Sequence, residues 1–349
     1  MKNPKVSIVC ISYNHEKFIT QAIDSFLAQK ANFEYEIIIA DDASQDNTKD
    51  IISVYAEKHS NVVPILRQKN TGVQPNLVGA MAIAKGEYIA LCEGDDFWTD
   101  DKKLQKQVDF MSDNTEYSLC FHPVRVFYEN QEKEDSIHPK SSKNSVFNLE
   151  ELIKNNYIQT NSVMYRKKTY DKIPLNILPL DWYLHLYHAK SGKVGFINEV
   201  MSTYRRHSGG VWWDSNNDIS NIWTKHGRAH YAMYCEIRKL FNDTPSLQEI
   251  IQPNIYRTLG ILIDTDRKYL THLVDQAMED YPDSVDPLTA LLSKNILEYE
   301  RILDDKIHKM DDLTATNIML SDELRKFKNL KAWKAFKKVQ GLKNKLLGK

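Results

Sequence analysis

The fold is decided by residues 6–48, which read VSIVCISYNHEKFITQAIDSFLAQKANFEYEIIIADDASQDNT. The runs at 6–12 and 35–40 are apolar enough for strands that are buried on both faces. Between them, apolar residues recur in pairs four positions apart, at 18/19, 22/23 and 26/27, which keeps them on one face of a helix over 16–29. Strand, helix and strand in this order predict a βαβ unit with parallel strands.

The same alternation continues to about residue 111. Further strands are predicted at 62–66 and 88–92, and helices at 48–59, 76–85 and 101–111. Because short apolar strands alternate with helices, the sequence predicts an α/β domain whose mostly parallel sheet is flanked by helices. In such a sheet, ligands bind beyond the carboxyl ends of the strands.

Beyond residue 127 the pattern is less regular, and the polar stretch 129–143 predicts a loop. The elements predicted next are helices at 149–155 and 181–190 and strands at 162–166, 194–197 and 201–205. From residue 219 onward the pattern predicts helices only, ending in a long amphipathic or coiled-coil segment through which two copies could associate. The predicted domains are 1–215, 216–290 and 291–349.

Composition excludes several classes of protein. The 349 residues are 42% hydrophobic and 27% charged, which is typical of a soluble globular chain and excludes a disordered or collagen-like one. The four cysteines form no CxxC pair, so neither a zinc site nor a disulfide framework is predicted. Apolar runs are too short to span a bilayer, and no signal-peptide pattern precedes the first strand. These features predict a cytoplasmic protein.

The net charge of −1 hides an asymmetry. Residues 325–349 contain ten Lys or Arg and no acidic residue, while the rest carries 36 basic and 47 acidic residues. An acidic body argues against a nucleic-acid partner. In the tail, apolar residues recur every third position from 324 to 342 among lysines, and its Trp and Phe suit a bilayer interface. Two interpretations stay open: peripheral contact with the inner face of the plasma membrane, or a solvated extension of the coiled coil.

Acidic residues follow two of the predicted strands. Asp41 and Asp42 follow the second strand, and Glu93, Asp95 and Asp96 follow the fourth. At one edge of a sheet these carboxylates would repel one another and raise each other's pKa. A divalent cation on a diphosphate would relieve the repulsion, and oxygen ligands suit Mn²⁺ or Mg²⁺. Either cluster alone is better explained by turn formation or helix capping, but the two together favour a site.

Three stretches resemble the family-2 glycosyltransferases with the GT-A fold: VSIVCISYN at 6–14, IIIADDASQDNT at 37–48 and KGEYIALCEGDD at 85–96. The resemblance covers about residues 5–215 in order. It implies a Rossmann-like GT-A fold, here followed by an α-helical C-terminal region. It also implies inverting, metal-dependent transfer of a sugar from a nucleotide-diphosphate sugar, with UDP as the expected nucleotide. The implied acceptor is a glycan or lipid-linked molecule of surface polysaccharide biosynthesis.

The resemblance assigns roles to residues at the strand ends. The residues expected to hold the nucleotide base are Tyr13, Asp42 and Arg67. In the stretch that corresponds to the DXD motif, Asp95 would bind Mn²⁺ or Mg²⁺, Glu93 would lie near the ribose and Asp96 near the donor sugar. Glu93 departs from the commoner Asp by one methylene.

Asp181 occupies the place of the family's catalytic base. Inverting transfer needs a carboxylate that accepts the proton of the attacking hydroxyl. A position at a helix start keeps such a carboxylate ionised, because the N-terminal dipole favours negative charge. Without the resemblance, an ordinary helix N-cap would be the preferred interpretation. Leu180 replaces the acidic neighbour often seen in this motif.

The segment YRRHSGG at 204–210 also resembles a family element. By that resemblance His207 would complete the metal site, and Arg205 or Arg206 could neutralise the leaving diphosphate. The glycines at 209–210 beside Trp212 and Trp213 predict a mobile loop with an aromatic lid. Taken alone, a single histidine is usually structural and paired tryptophans usually belong to a core.

Two rival functions stay open. A sugar-1-phosphate nucleotidyltransferase also uses acidic residues and a metal, but needs a glycine- and Arg/Lys-rich loop after its first strand, where this chain has YNHE at 13–16. A catalytically silent scaffold would use the coiled coil and basic tail to assemble partners. No P-loop, G-x-G-x-x-G or G-x-S-x-G pattern is present to support an ATPase, a dehydrogenase or a serine hydrolase.

Overall fold

The computed structural model describes the chain in several ranges, which are residues 3–130, 133–140, 146–210, 219–266 and 269. Two compact units are present: Met1–Asn216 with Ala232–Ile251, and Asn217–Tyr231 with Gln252–Lys349. The first unit therefore contains part of the region predicted as a separate helical domain, at 216–290. The predicted coiled coil at 291–349, the basic tail at 325–349 and the Trp212–Trp213 lid lie outside the described residues.

Eleven strands form within the described ranges. They are β1 Val6–Ser12, β2 Tyr35–Asp41, β3 Val62–Leu66, β4 Tyr88–Leu91, β5 Phe97–Trp98, β6 Tyr117–Phe121, β7 Val124–Tyr128, β8 Ser136–His138, β9 Met164–Arg166, β10 Lys193–Phe196 and β11 Ser202–Arg206. Seven of them make one sheet in the order β10-β6-β9-β4-β1-β2-β3, and the other four make a sheet in the order β5-β11-β7-β8.

Eight α-helices connect or follow these strands in the described part of the chain. They are α1 Ile19–Leu27, α2 Thr48–Lys58, α3 Val73–Ile83, α4 Lys103–Asp113, α5 Leu149–Lys154, α6 Leu180–Ala189, α7 Ile219–Leu240 and α8 Pro245–Thr265. None of them combines the length and hydropathy needed to cross a bilayer.

The large sheet is mostly parallel, as the sequence predicted. Strand β1 pairs in parallel with both β2 and β4, and every residue of β1 is buried. Strand β9 is antiparallel to its two neighbours, β4 and β6. A strand that is covered on both faces has no face exposed to solvent, which explains why β1 and β2 are continuous apolar runs in the sequence.

Helix α1 packs onto this sheet through the face that the sequence predicted. Ile19, Ala22, Ile23 and Phe26 are all fully buried in the main hydrophobic cluster, together with residues of β1 and β2. Their three- and four-residue spacing holds one face of the helix against the sheet. The first βαβ unit thus supplies the core that positions the ends of β1 and β2.

The smaller sheet was not predicted. The polar stretch 129–143 was expected to be a loop, which was wrong because it contains β8, which pairs antiparallel with β7. Strand β8 is mostly exposed and has no apolar run of its own, so its structure depends on the partner. Part of the strand predicted at 162–166 is instead a 3₁₀ turn, Thr160–Ser162. That turn carries one of the site's supporting residues.

A buried glutamate joins β1, β2 and the chain entering β4. Glu36 accepts hydrogen bonds from Ser7 Oγ at 2.6 Å and from the Lys85 amide at 2.7 Å. The Gly86 amide in turn donates to Ser7 Oγ at 2.8 Å. Because Oε1 accepts both of these hydrogen bonds, the side chain is tolerated inside the protein. The same packing brings the main chain of Gly86 against that of β1.

We predict that Gly86→Ala destabilises the protein by about 2 kcal/mol or more, because a methyl group must displace main-chain atoms. The added Cβ would lie 2.4 Å from the Ser7 nitrogen and 2.7 Å from the Val6 carbonyl carbon. Urea unfolding followed by circular dichroism measures the loss. Gly260→Ala is the control, because nothing lies within 4 Å of its Cβ in α8. There alanine should leave stability unchanged or raise it by up to about 1 kcal/mol; equal losses at the two sites would contradict the prediction.

Candidate active site

The loops after β1 and β2 are tied together at the carboxyl edge of the large sheet. Each of three consecutive amides at 14–16 donates to a side chain of the second loop. The pairs are Asn14 to Ser44 Oγ at 2.9 Å, His15 to Thr48 Oγ1 at 2.8 Å and Glu16 to Asp46 Oδ2 at 3.0 Å. Asn14 and Ala43 adopt positive φ values of 57° and 61°, so both turns are sharp. Tyr13 remains 43% exposed beside them.

The two aspartates that end β2 have different roles. Asp41 is buried and accepts hydrogen bonds from Ser12 Oγ at 3.1 Å and from the Ser44 amide at 2.9 Å. It therefore joins the ends of β1 and β2. Since these contacts are all internal, Asp41 is a structural residue.

Asp42 holds the chain that leads into α3. Its Oδ1 accepts from the amide and hydroxyl of Thr71 at 2.8 Å each, and its Oδ2 accepts from the Gly72 amide at 2.8 Å. Arg67 Nε lies 4.0 Å from Asp42 Oδ1 and donates to Asn76 Oδ1 at 2.6 Å. The predicted base-binding residues Asp42 and Arg67 are thus neighbours, and Thr71 and Gly72 are supporting residues that the sequence analysis missed.

Glu93 shares its surroundings with two other carboxylates. Burial, followed by the negative charges of Asp95 and Asp181, raises the pKa of Glu93 to about 8. Asp181 comes from α6, far along the chain, yet it acts on the same group. Three of the predicted site residues are therefore gathered at one edge of the sheet.

Asp95 faces two histidines. Its Oδ2 lies 3.0 Å from His207 Nε2 and 3.8 Å from His15 Nε2. Burial alone would raise the pKa of Asp95, but His15 and the hydrogen bond from His207 outweigh it, so the pKa is lowered. His15 was missed at the sequence level, although a histidine directly after β1 in the YNHE stretch was a usable signal.

A main-chain amide fixes the proton of His207. The Gly209 amide donates to His207 Nδ1 at 3.2 Å. Because Nδ1 accepts, the proton of the neutral ring lies on Nε2, which then donates to Asp95. Asp95 and His207 thus form a short, direct pair. That they bind one cation stays a prediction.

No group of three or more His, Cys, Asp or Glu side chains is arranged to hold a metal ion in the described part of the chain. Asp95 and His207 nevertheless fit as two neighbouring ligands. A carboxylate and an imidazole with 3.0 Å between their donor atoms can share one cation. Such a site would take its other ligands from substrate phosphates and water, as Mg²⁺ sites commonly do.

Asp96 is buried, and its side chain helps to hold the acidic loop at 93–96. Its Oδ1 accepts from the Arg205 amide at 2.8 Å and its Oδ2 from Asn161 Nδ2 at 2.9 Å. Burial, then the charges of Asp95 and Glu93, raise the pKa of Asp96 well above its usual range. Asn161, in the 3₁₀ turn, also donates to the Thr203 carbonyl at 3.0 Å. Asn161 carries no sequence signal of this role.

Arg205 is enclosed by aromatic rings. Its guanidinium carbon lies 4.9, 5.3 and 5.7 Å from the ring centres of Phe18, Phe97 and Phe127. Nε donates to the Asp95 carbonyl at 2.9 Å, and Nη2 donates to Gln21 Oε1 at 2.6 Å. The side chain is only 9% exposed. Arg205 therefore fixes the main chain of the acidic loop, and its role toward a diphosphate stays a prediction.

Arg206 lies next to Arg205 on β11, and its guanidinium carbon is 6.0 Å from the Tyr204 ring centre. Its predicted role toward a diphosphate likewise stays a prediction.

A buried lysine, Lys103, is linked to the residues that support Asp96. Lys103 Nζ is 4.0 Å from the Trp98 ring centre and donates to Gln107 Oε1 at 2.7 Å. Burial lowers the pKa of Lys103 to about 7. Trp98 Nε1 donates to the Asn161 carbonyl at 3.1 Å, so this core group is linked to Asp96 through Asn161.

Asp181 stands in the first turn of α6, whose N-cap residue is Pro179. The alternative interpretation, in which Asp181 is the N-cap residue, is therefore wrong. Its Oδ2 lies 3.2 Å from Asn156 Nδ2 and 3.4 Å from Thr160 Oγ1, which both donate to it. Burial raises the pKa of Asp181, while the Trp182 amide and these two donors lower it. The side chain keeps 24% exposure, so the carboxylate can be reached from outside.

Residues 7–208 match the family model described as "Glycosyl transferase family 2". An uncharacterized protein of Mycobacterium tuberculosis is 47% identical over 229 residues, which are 65% of this chain and 66% of that protein. The chain thus spans just under two thirds of that relative. A Bacillus subtilis protein, whose name proposes a glycosyltransferase of teichuronic acid biosynthesis, is 29% identical over 249 residues, 68% of this chain and 90% of that protein.

Solved structures share the fold at low sequence identity. S. aureus TarS 1–349 in complex with UDP-GlcNAc matches with a TM-score of 0.53 and 16% identity, over 82% of this chain and 80% of that one. A mannosyltransferase of Pyrobaculum calidifontis, in complex with GDP-Man and Mn²⁺, matches with a TM-score of 0.50 and 13% identity, over 81% and 82%. At these identities the likeness concerns the fold.

We predict that Arg205→Met lowers the free energy of unfolding by about 3 kcal/mol, because it removes the donors to the Asp95 carbonyl and Gln21 from a buried setting. Thermal or urea unfolding measures the change. Arg125→Met is the matched control on the same sheet, since Arg125 pairs with Asp135 and both are exposed. That pair should contribute at most about 1 kcal/mol. Similar losses in the two variants would contradict a stabilising role for the buried hydrogen bonds of Arg205.

Proposed function

The chain belongs to glycosyl transferase family 2, and on this premise we propose that it transfers a sugar from a nucleotide-diphosphate sugar to an acceptor hydroxyl. The transfer inverts the configuration at the anomeric carbon of the sugar. The observation that carries the proposal is the convergence of Glu93, Asp95 and Asp181 at the carboxyl edge of a GT-A-like sheet. Ligands bind at that edge in sheets of this type.

The nucleotide, which we propose is UDP, would lie at the ends of β1 and β2. Tyr13 offers an exposed ring for contact with a base. Asp42 accepts three hydrogen bonds from the protein, which leaves part of its acceptor capacity for an N–H of the base. Arg67 lies beside it and adds positive charge. The UDP-GlcNAc and GDP-Man bound by the structural neighbours support a nucleotide-sugar donor.

Asp95 and His207 would hold Mn²⁺ or Mg²⁺, which would supply positive charge to the departing diphosphate. The bound Mn²⁺ of the mannosyltransferase supports this assignment. Arg205 keeps the Asp95 main chain in place, and Asn161 holds the side chain of Asp96, which would lie near the donor sugar. Arg206 is proposed to face the diphosphate and Glu93 the ribose.

Asp181 would act as the general base. As the acceptor oxygen bonds to the anomeric carbon, the bond from that carbon to the phosphate oxygen breaks, and the hydroxyl proton passes to the Asp181 carboxylate. Burial makes this carboxylate more basic than an exposed aspartate, while Asn156 and Thr160 orient it. The proton is thereby removed on the side opposite the leaving group.

The acceptor we propose is a glycan or lipid-linked molecule of surface polysaccharide biosynthesis. The Bacillus subtilis relative, whose name refers to teichuronic acid biosynthesis, supports this substrate class. We propose that the reaction takes place in the cytoplasm at the inner face of the membrane. Membrane contact through 325–349 and association of two copies through the C-terminal coiled coil predicted at 291–349 stay predictions, because these two segments lie outside the described residues.

We expect the protein to release a nucleoside diphosphate when it is incubated with Mn²⁺ and a panel of nucleotide sugars. Asp95→Ala should reduce release more than 100-fold, on the scale of losing a charged group that acts at the leaving diphosphate. Asp101→Ala is the control, since the Asp101 side chain is 43% exposed and pairs with the exposed Lys30. If no donor in the panel gives release of a nucleoside diphosphate, the scaffold would be favoured. Pyrophosphate formed from a nucleoside triphosphate and a sugar 1-phosphate would favour the nucleotidyltransferase.

We expect Asp181→Asn to lower kcat by about 10²- to 10⁴-fold, with the donor KM changed little, because an amide accepts no proton. In the natural protein, kcat should fall tenfold per pH unit below the pKa of Asp181, which is raised above the usual aspartate value of 3.8. This acid limb should be absent in the variant. A pH–rate profile measures both, and an unchanged acid limb in Asp181→Asn would contradict the assignment.

A further inference from the structure

A buried histidine lies one helical turn behind Asp181. His185 is fully buried on α6, and its Nε2 is 3.9 Å from Asp181 Oδ2. The spacing of four residues places the two side chains on the same face of the helix. The imidazole is fully buried, whereas the Asp181 side chain keeps 24% exposure.

The proton of His185 can be assigned from its neighbours. Nδ1 is 2.6 Å from the Tyr165 hydroxyl. Burial lowers the pKa of His185 to about 3, so the ring is neutral and has one donor and one acceptor nitrogen. Nε2 has no hydrogen-bond partner in the described part of the chain, and it lies 3.9 Å from Asp181 Oδ2. The tautomer that suits both neighbours has the hydrogen on Nε2, toward the carboxylate, and Nδ1 accepting from the Tyr165 hydroxyl.

Tyr165 is held in turn by a second histidine of α6. The rings of Tyr165 and His188 stack with centres 4.1 Å apart and planes 14° from parallel. Burial raises the pKa of Tyr165 far above its usual range, so its hydroxyl keeps its proton. The phenol thus orients His185 in a setting that solvent does not reach.

The groups around Asp181 indicate what an N–H on His185 Nε2 would contribute. Asn156 and Thr160 donate to Oδ2 at 3.2 and 3.4 Å. Glu93 is the acidic group across the site, and with a pKa of about 8 it is largely protonated near neutral pH. His185 and Tyr165, which also lie near the carboxylate, are both uncharged. Burial is the main influence that raises the pKa of Asp181, and a neutral N–H of His185 opposes it without adding a second base.

We propose that His185 is a positioning residue that turns the Asp181 carboxylate toward the acceptor and stabilises its ionised form. The inference rests on the proposed role of Asp181 as the general base. His185 itself does not touch the substrate. Onward transfer of the proton to Tyr165 is excluded from the proposal, because both rings are fully buried and have no route to water.

The test compares substitutions on one helix. His185→Phe removes the N–H, whereas His185→Gln keeps an amide donor close to the position of Nε2. His188→Phe is the matched control, because His188 is also a buried histidine of α6 but contacts Tyr165 and Tyr170, not Asp181. Nucleoside diphosphate release gives kcat and donor KM as functions of pH, and thermal unfolding shows how far each variant stays folded.

We expect His185→Phe to move the acid limb of kcat about half to one pH unit higher, because loss of the N–H raises the pKa of Asp181. On that limb kcat should fall about three- to tenfold, while donor KM stays unchanged. His185→Gln should restore most of the shift, and His188→Phe should leave the limb in place. Tyr165→Phe, which removes the hydroxyl that orients the ring, should give a smaller shift in the same direction, and it replaces His185→Phe if that variant does not fold.

An acid limb that stays in place in His185→Phe and Tyr165→Phe would overturn the inference, as would an equal shift in His188→Phe. Failure of His185→Gln to behave better than His185→Phe would overturn it as well. These outcomes are separate from the test of the proposed function. If Asp181→Asn keeps the acid limb, Asp181 is not the base, whatever the His185 variants show.

Discussion

Mutual repulsion among Glu93, Asp95 and Asp181 is the constraint around which this edge of the sheet is built. Bringing carboxylates out of water and close together disfavours their charged forms, and the pKa of Glu93 records that cost. The protein offsets it locally with two histidines at Asp95 and with neutral donors at Asp181. Such an arrangement is stable only if the surrounding main chain is held firmly, since relaxation would move the charges apart.

Buried acidic side chains that hydrogen-bond within the protein provide that firmness. Asp41 joins β1 to β2, and Asp96 binds Asn161 and the main chain of Arg205. These acidic side chains have their hydrogen bonds satisfied inside the protein, unlike Asp181, which keeps an exposed edge. An acidic cluster in the sequence therefore contains two kinds of carboxylate, and burial distinguishes them.

Much of the fold could be predicted because its strands are buried on both faces and its first helix has a regular apolar face. The bounds of β1 and β3 agree with the prediction, and α6 begins within one residue of it. Strand β8 could not be predicted, because an exposed, polar strand depends on its partner and not on its own composition. In the site, Asp95 and His207 were predicted as ligands of one metal ion, and His15 had a usable signal in its position after β1, whereas Asn161 became visible only when tertiary contacts joined distant loops. Arg205 or Arg206 was expected to neutralise a diphosphate, which stays a prediction; the contact of Arg205 with the Asp95 carbonyl could not be predicted, because the three phenylalanines around it are dispersed in the sequence.

The aromatic enclosure of Arg205 has a consequence for how the site meets its ligand. The guanidinium loses its water when the chain folds, and its hydrogen bonds to the Asp95 carbonyl and Gln21 form at the same time. The entropy of ordering residues 93–96 is therefore lost during folding and not at each encounter. A preorganised acidic loop of this kind binds without first searching among conformations, so more of the interaction energy is left for affinity and for the transition state.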